Sequence, residues 1–274
     1  DGSARTVRRF VAKIRPQKVR EYKPVDALPG EQAQVDWGHV GTHVVNGVRR
    51  KLYVFVMTLS WSRAMYFEFV TSLNMATFAG SLHRALAFFK GVPKEVVFDN
   101  AKTVVADRVG DAVQFNSDLL HLALHYGFTP RACWIHDPES KGKVESNVKY
   151  VKKSFFYGRK FDGVNELNAQ AQQWIEAVAH RRVHGTTFKH PGEELEKERP
   201  YMSPFVAGSG PSGIVEQRSV SKDGLISVER NFYSVPSHLA RRRINIRRFE
   251  NRFEVLDDGR VVAEHKLLPG KGGR

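Results

Sequence analysis

The sequence predicts a mixed α/β domain followed by a small β-barrel, on three observations. Residues 31–70 read as strands separated by turn residues, with Asn46-Gly47 the strongest hairpin signal in the chain. Residues 74–156 then alternate helical and short apolar strand patterns, and antiparallel strands followed by such alternation make a mixed sheet. Beyond a Pro-, Gly- and Ser-rich stretch at 200–213, residues 214–266 are short β-type runs with turn signals at Lys222-Asp223-Gly224, Arg230-Asn231 and Asp257-Asp258-Gly259. Closely spaced strands without a helical period suit a small barrel.

Taken in order, residues 5–20 are expected to form a basic helix, with Val7, Phe10, Val11 and Ile14 as its apolar stripe and Pro16 as its end. The chain opens in mid-element, so residues 1–25 are expected to be the remnant of, or linker from, another module that is missing. Pro16, Pro24, Pro29 and Gly30 give 16–30 a linker composition. Strands are predicted at Gln32–Trp37, Thr42–Val45, Lys51–Leu59 and Ala64–Val70. A helix capped by Asn74 carries Met75, Phe78, Leu82, Leu86 and Phe89 and is stopped by Gly91 and Pro93. Glu95–Phe98 reads as a buried strand, 117–126 as a helix ended by Gly127, Phe128–Ile135 as a strand and 141–156 as a helix. A further helix over 165–182 sets Leu167, Ala171, Trp174, Ile175 and Val178 on one face. The domains expected are thus 1–25, 26–199, a linker at 200–213 and 214–274.

Charge narrows the partner. Lys and Arg number 43 against 29 acids, a net +14, which favours a polyanion, and nucleic acid is the commonest. With 41% hydrophobic residues a real core is available. No apolar run reaches eighteen residues and no signal-peptide pattern occurs, so no membrane partner is expected. The single cysteine, Cys133, excludes an internal disulfide, suits a reducing cytoplasm and reads as a small core residue.

Against this basic background three acids stand out: Asp36 in Gln34-Val35-Asp36-Trp37, Asp99 directly after Val96-Val97-Phe98, and Glu145 opening a basic helix. Acids gathered in a basic protein are costly unless a cation neutralises them, and such a set is what a metal-dependent enzyme acting on nucleic acid needs. Asp36 alone also fits a turn or a solvated charge. Asp99 stands where ligands collect, at the C-terminal edge of a sheet. Lys149, Lys152 and Lys153 share the face of Glu145, either as phosphate-binding groups or as a solvated face pairing with it.

The phrases Val35-Asp36-Trp37-Gly38-His39, Phe98-Asp99-Asn100 and Pro138-Glu139-Ser140-Lys141-Gly142-Lys143-Val144-Glu145 resemble the DDE catalytic core shared by retroviral integrases and insertion-sequence transposases. His184-Gly185-Thr186-Thr187 with Pro191 is similar to the segment that closes such cores. Asp36-Trp37-Gly38, Asp99-Asn100-Ala101-Lys102-Thr103 and Asn231-Phe232-Tyr233-Ser234-Val235-Pro236 resemble IstA-type transposases in particular. Asp99 and Glu145 stand 46 positions apart, more than in the retroviral pattern, and Ala101 replaces a glycine common there. Both departures point toward a bacterial transposase.

The resemblance implies an RNase H-like mixed five-stranded sheet with flanking helices, plus a small C-terminal β-barrel. It implies that Asp36, Asp99 and Glu145 are catalytic and hold two Mg²⁺ or Mn²⁺ ions. The reaction implied is 3′-end cleavage of transposon DNA followed by strand transfer of the 3′-hydroxyl into target DNA. Lys141, Lys149, Lys152 and Lys153 are implied DNA contacts. Arg241, Arg242, Arg243 and Arg247, with Arg248, fit either the backbone of the transposon end or a solvated barrel edge. For His39 a place near the active site and a solvent-facing turn are both open, while Trp37 and Trp174 are assigned to core packing. Partners implied are double-stranded DNA, a homodimer or higher multimer on paired ends and an AAA+ ATPase helper, in a bacterial, nucleoid-associated cytoplasmic setting. The alternatives are an RNase H-like structure-specific nuclease and a catalytically idle DNA-binding protein of the same fold.

Overall fold

Alternating residues over 32–59 fold into one long antiparallel hairpin, β1 (Gln32–Val45) and β2 (Val48–Leu59). Asn46 and Gly47 turn it with φ of 49° and 75°, the left-handed pair that a two-residue hairpin turn of this hand requires. The two strands expected at 32–37 and 42–45 are a single strand whose register shifts between His39 and Gly41, a bulge rather than a break. The computed structural model describes residues 27–98, 105–109, 112–132, 147–206, 213–268, 270, 272 and 273. The expected helix at 5–20 therefore lies outside the described residues, as do Cys133 and residues 133–146.

β3 (Met65–Val70) pairs antiparallel with β2. α1 (Met75–Phe89) follows; Asn74 caps it by accepting from the Thr77 N–H at 2.8 Å. Its stop is Lys90, left-handed at φ 58°, rather than Gly91. Gly91 instead opens a two-residue strand, β4 (Gly91–Val92). β5 (Glu95–Phe98) runs parallel to β1. A short antiparallel pair absent from the sequence reading, β6 (Val105–Val109) and β7 (Ala112–Phe115), occupies part of the long interval before Glu145. α2 (Ser117–Tyr126) ends at left-handed Gly127, and β8 (Thr129–Ala132) runs parallel to β5. The five-stranded sheet thus has the order β3-β2-β1-β5-β8, three antiparallel strands continued by two parallel ones.

Both faces of this sheet are covered, which explains the unbroken burial of β2 from Val54 to Leu59. One face meets α1 and α2 through Phe55, Phe78, Phe89, Phe98 and Leu122. The other meets α3, helical over 147–151 and continuing as a π turn at Lys152–Phe156, and α4 (Val164–Trp174), which continues as a π turn at Ile175–Ala179. Phe67, Phe69, Phe155 and Trp174 form that second core. The π turn takes one more residue per turn, so the apolar stripe slips: Ala179 turns inward, and Val178, expected inside, is 42% exposed.

α5 (Pro191–Glu198) was not anticipated. Proline opens it and Glu193 and Glu194 sit in its first turn, where a helix favours negative charge. Its last residue, Glu198, is fully buried and accepts from the Gly30 N–H at 3.0 Å and the Ser62 N–H at 3.1 Å. Part of the expected linker is bound to this α/β unit: β9 (Ser203–Pro204) pairs with β4, and Phe205 stacks on Tyr126.

Residues 214–266 form β10 (Ile214–Ser219), β11 (Leu225–Val228), β12 (Asn231–Ser234), β13 (Arg243–Arg248), β14 (Arg252–Asp257) and β15 (Arg260–Lys266). A four-stranded sheet, β10-β13-β14-β15, and the β11–β12 hairpin close over their own core of Ile226, Tyr233, Leu239, Ile246, Phe253 and Val255. Arg84 of α1 joins the two units. It grips Glu68 of β3 through Nε and Nη2, both at 2.7 Å, and Glu250 of the β13–β14 turn through Nη1 at 2.6 Å.

Candidate active site

Asp36 sits in the middle strand of the sheet. Its neighbours Val35 and Trp37 pack into the α1-side core, Trp37 edge-on to Phe55 at 5.1 Å, so alternation sends the Asp36 side chain to the α3 face. It is half-buried, and Oδ1 accepts from the Trp37 N–H at 2.7 Å. Trp37 is therefore a packing residue, and so is Trp174, which lies against Phe67, Tyr150 and Phe155.

Asp99, Lys141 and Glu145 lie outside the described residues, but Phe98, directly before Asp99, and Asn147, two residues after Glu145, lie within them. Phe98, which immediately precedes Asp99, is the parallel partner of Val35, which immediately precedes Asp36. Asn147 and Val148, two and three residues after Glu145, meet the sheet on either side of Asp36. Asn147 Nδ2 donates to Thr58 Oγ1 of β2 at 3.1 Å. Val148 lies over Gly38, where a Cβ would stand 2.2 Å from its Cγ1. Only glycine lets α3 cross β1 this closely. Gly38 stands in a motif phrase without this role, and Asn147 and Thr58 were not singled out in the sequence. The signal for Thr58 was a polar side chain in an otherwise apolar buried run.

The basic residues divide by exposure. Lys149 and Lys153 are exposed on α3 and Lys152 is half-buried. Arg241, Arg242 and Arg243 are exposed, with Arg242 Nη1 3.9 Å from Asp257. Arg247 pairs with Glu254 at 3.2 Å. Arg248 cannot belong to a DNA-facing cluster: it is 7% exposed and is paired with Glu229 and, at 3.7 Å, with Glu216. Strand alternation points it inward, away from Arg247. His39 likewise stands apart from Asp36, on the opposite sheet face with its ring 5.2 Å from that of Tyr53.

His184 shows why the closing segment contains a histidine. Its Nδ1 accepts from the Thr186 and Thr187 N–H groups at 3.3 and 3.4 Å, so the imidazole organises a turn. Burial, helped by the Arg182 and Arg63 charges, pushes its pKa down to about 4 and keeps it neutral. Another buried polar group missed in the sequence is Glu68, 3% exposed, which accepts from Tyr66 Oη at 2.7 Å as well as from Arg84. Burial, then the Glu68 charge, pushes the Tyr66 phenol well up. Among the described residues no group of three or more His, Cys, Asp or Glu is placed to hold a metal, and none of the described helices is long and apolar enough to cross a membrane.

A central acid on a five-stranded mixed sheet of this order defines an integrase-type core, and the family model described as Integrase core domain matches residues 26–138. A second, Mu transposase, C-terminal domain, matches residues 209–274. Among curated relatives the chain is 35% identical over 263 residues to the transposase for insertion sequence element IS21 of Pseudomonas aeruginosa, covering 95% of this chain and 67% of that one. It is 34% identical to the putative transposase for element IS5376 of Geobacillus stearothermophilus, covering 81% and 55%. To the IS21-like element transposase of Bacteroides fragilis it is 32% identical, covering 92% and 50%. The chain belongs to the IS21 (IstA-type) insertion-sequence transposases. It spans about half to two thirds of the length of these relatives.

Proposed function

We propose that this chain carries the catalytic core of a DNA transposase that cleaves the 3′ ends of its element and joins the freed 3′-hydroxyls to target DNA, with Asp36, Asp99 and Glu145 as its catalytic carboxylates. The observation that carries the reading is the pairing of Val35 with Phe98. Parallel strands lie about 4.8 Å apart, so Val35 and Phe98, the residues that directly precede Asp36 and Asp99 in the chain, stand side by side, which supports the reading. Glu145 is two residues from Asn147, a reach of at most about 7 Å. The bond of Asn147 to Thr58 and the seat of Val148 on Gly38 set the described start of α3 beside Asp36, which supports the same reading.

Three carboxylates make an all-oxygen donor set, which fits Mg²⁺ or Mn²⁺ rather than a softer metal. When bound, a pair of such ions supplies the Lewis acidity that activates an oxygen nucleophile and stabilises the leaving oxygen. The chain's own part is to present acids in a basic surface. In the first step a water oxygen bonds to phosphorus at the element's end, the bond to the 3′ oxygen breaks and a free 3′-hydroxyl leaves. In the second, that hydroxyl attacks a target phosphodiester, one P–O bond forms as another breaks, and no protein–DNA bond is made. Lys149, Lys152 and Lys153 on α3, with Lys141, hold phosphates beside the acids, and Arg241–Arg243 and Arg247 engage DNA further out.

The same reading includes a homomultimer on paired ends, an AAA+ ATPase helper and a place on the bacterial nucleoid. Glu145→Gln tests it on the full-length protein with duplexes carrying the element's own ends. End cleavage and joining should both fall at least a thousandfold while DNA binding persists; undiminished joining refutes the role of Glu145. Wild-type cleavage without joining would identify a nuclease, and DNA binding without either an idle protein.

A further inference from the structure

β2 is apolar and fully buried from Val54 to Leu59 except at Thr58, which is itself only 7% exposed. A hydroxyl there needs a partner, since an unpaired buried one is worse than a valine of the same shape. Asn147 supplies it. Along the sheet face, Gly38 lies opposite Val54, Asp36 opposite Val56 and Gln34 opposite Thr58. The two ties of α3, Val148 on Gly38 and Asn147 on Thr58, therefore fall on either side of Asp36. Packing alone would let a helix slide or roll, and one residue of slip is about 1.5 Å and 100°. A set of metal ligands tolerates errors of only about 0.2 Å. The directional bond supplies what packing cannot.

We propose that Thr58 and Asn147 are positioning residues, whose hydrogen bond fixes the register of α3 over Asp36 at the helix start that follows Glu145 in the chain. This deepens the catalytic reading and rests on it. Thr58→Val removes the hydroxyl and keeps the shape, whereas Thr58→Ser keeps the hydroxyl. For the full-length protein with each change, with Asn147→Ala and with Glu145→Gln, three quantities are measured. They are Mn²⁺ binding by calorimetry, the Mn²⁺ concentration that half-saturates end cleavage, and the thermal midpoint. Thr58→Val and Asn147→Ala should weaken Mn²⁺ binding and raise the half-saturating concentration roughly tenfold, as loss of a ligand-orienting partner does elsewhere. Thr58→Ser should match the wild type. A lowered midpoint with unchanged Mn²⁺ dependence would show a merely structural bond and overturn the proposal. If Thr58→Val does not fold, Asn147→Ala, at a half-buried helix position, decides in the same way. Glu145→Gln separates the two ideas: if it keeps wild-type Mn²⁺ binding and joining, the catalytic reading has failed; if it loses them while Asn147→Ala does not, only the positioning role has.

Discussion

At Gly38 a single missing methyl decides how close α3 can come to β1. Restoring it as Gly38→Ala puts a Cβ 2.2 Å from Val148 Cγ1 and 3.2 Å from Val54 Cγ1. Overpacking of this kind costs about 1–3 kcal/mol, and the relief available is to lift α3 off the sheet. Denaturant unfolding should show that loss, and DNA joining should fall far more than stability does. His184 makes a separate prediction. Its folded pKa of about 4 lies below the ordinary 6.5, so the unfolded chain binds the proton first. Its contribution is complete above pH 6.5 and is lost as pH falls from there toward 4. His184→Asn keeps an acceptor for Thr186 and Thr187 but does not titrate, so the thermal midpoint should fall less steeply over that window than in the wild type. At this scale the three acids stood out as expectations because their phrases are short and local. Thr58 and Glu68 did not, because a buried polar residue is explained only by a partner distant in sequence.

Among the elements, most regular helices and strands were readable from periodicity and caps, α5 and the β6–β7 pair excepted: Asn74, Asn46-Gly47 and Gly127 each sit where a turn or helix end required them. The two π turns were not, since one extra residue per turn leaves no mark in a 3.6-residue pattern. Their consequence is measurable. Phe155, in the first π turn, is 2% exposed and packs against Phe67, Phe69 and Trp174. Phe155→Ala should cost about 3–5 kcal/mol in chemical denaturation. Val178, which a plain helix would bury, should accept threonine with a change within about 0.5 kcal/mol. A large loss on Val178→Thr would show that α4 keeps its α register.

Across the whole molecule the α/β unit and the β unit have separate hydrophobic cores, and polar contacts join them. Arg84–Glu250 is one, and Asn74 Nδ2 to Glu229 at 3.4 Å is another. The two acids that share Arg84 are not equivalent. Glu68 is buried inside the α/β unit, so Arg84→Met strands its charge and should destabilise that unit by about 3–5 kcal/mol. Glu250 is about a third exposed, and Glu250→Gln should cost no more than about 1 kcal/mol. Thermal unfolding of the two variants checks the asymmetry. Equal losses would mean that the contact between units, rather than the buried carboxylate, dominates.

Local signals in the chain sufficed for the β1–β2 hairpin, for α1, α2 and the main strands of the sheet, and for the change to a β unit after the Pro- and Gly-rich stretch. Each of these depends on neighbours within a few residues or on composition. Only the tertiary structure decided that Val35 stands beside Phe98, that α3 crosses at Gly38 and bonds Thr58, and that Arg248 turns inward while Arg241–Arg243 stay in solvent. Those outcomes come from long-range packing, in which closing a large loop is offset by buried area and paired polar groups summed over the whole core. No short window of sequence contains that sum.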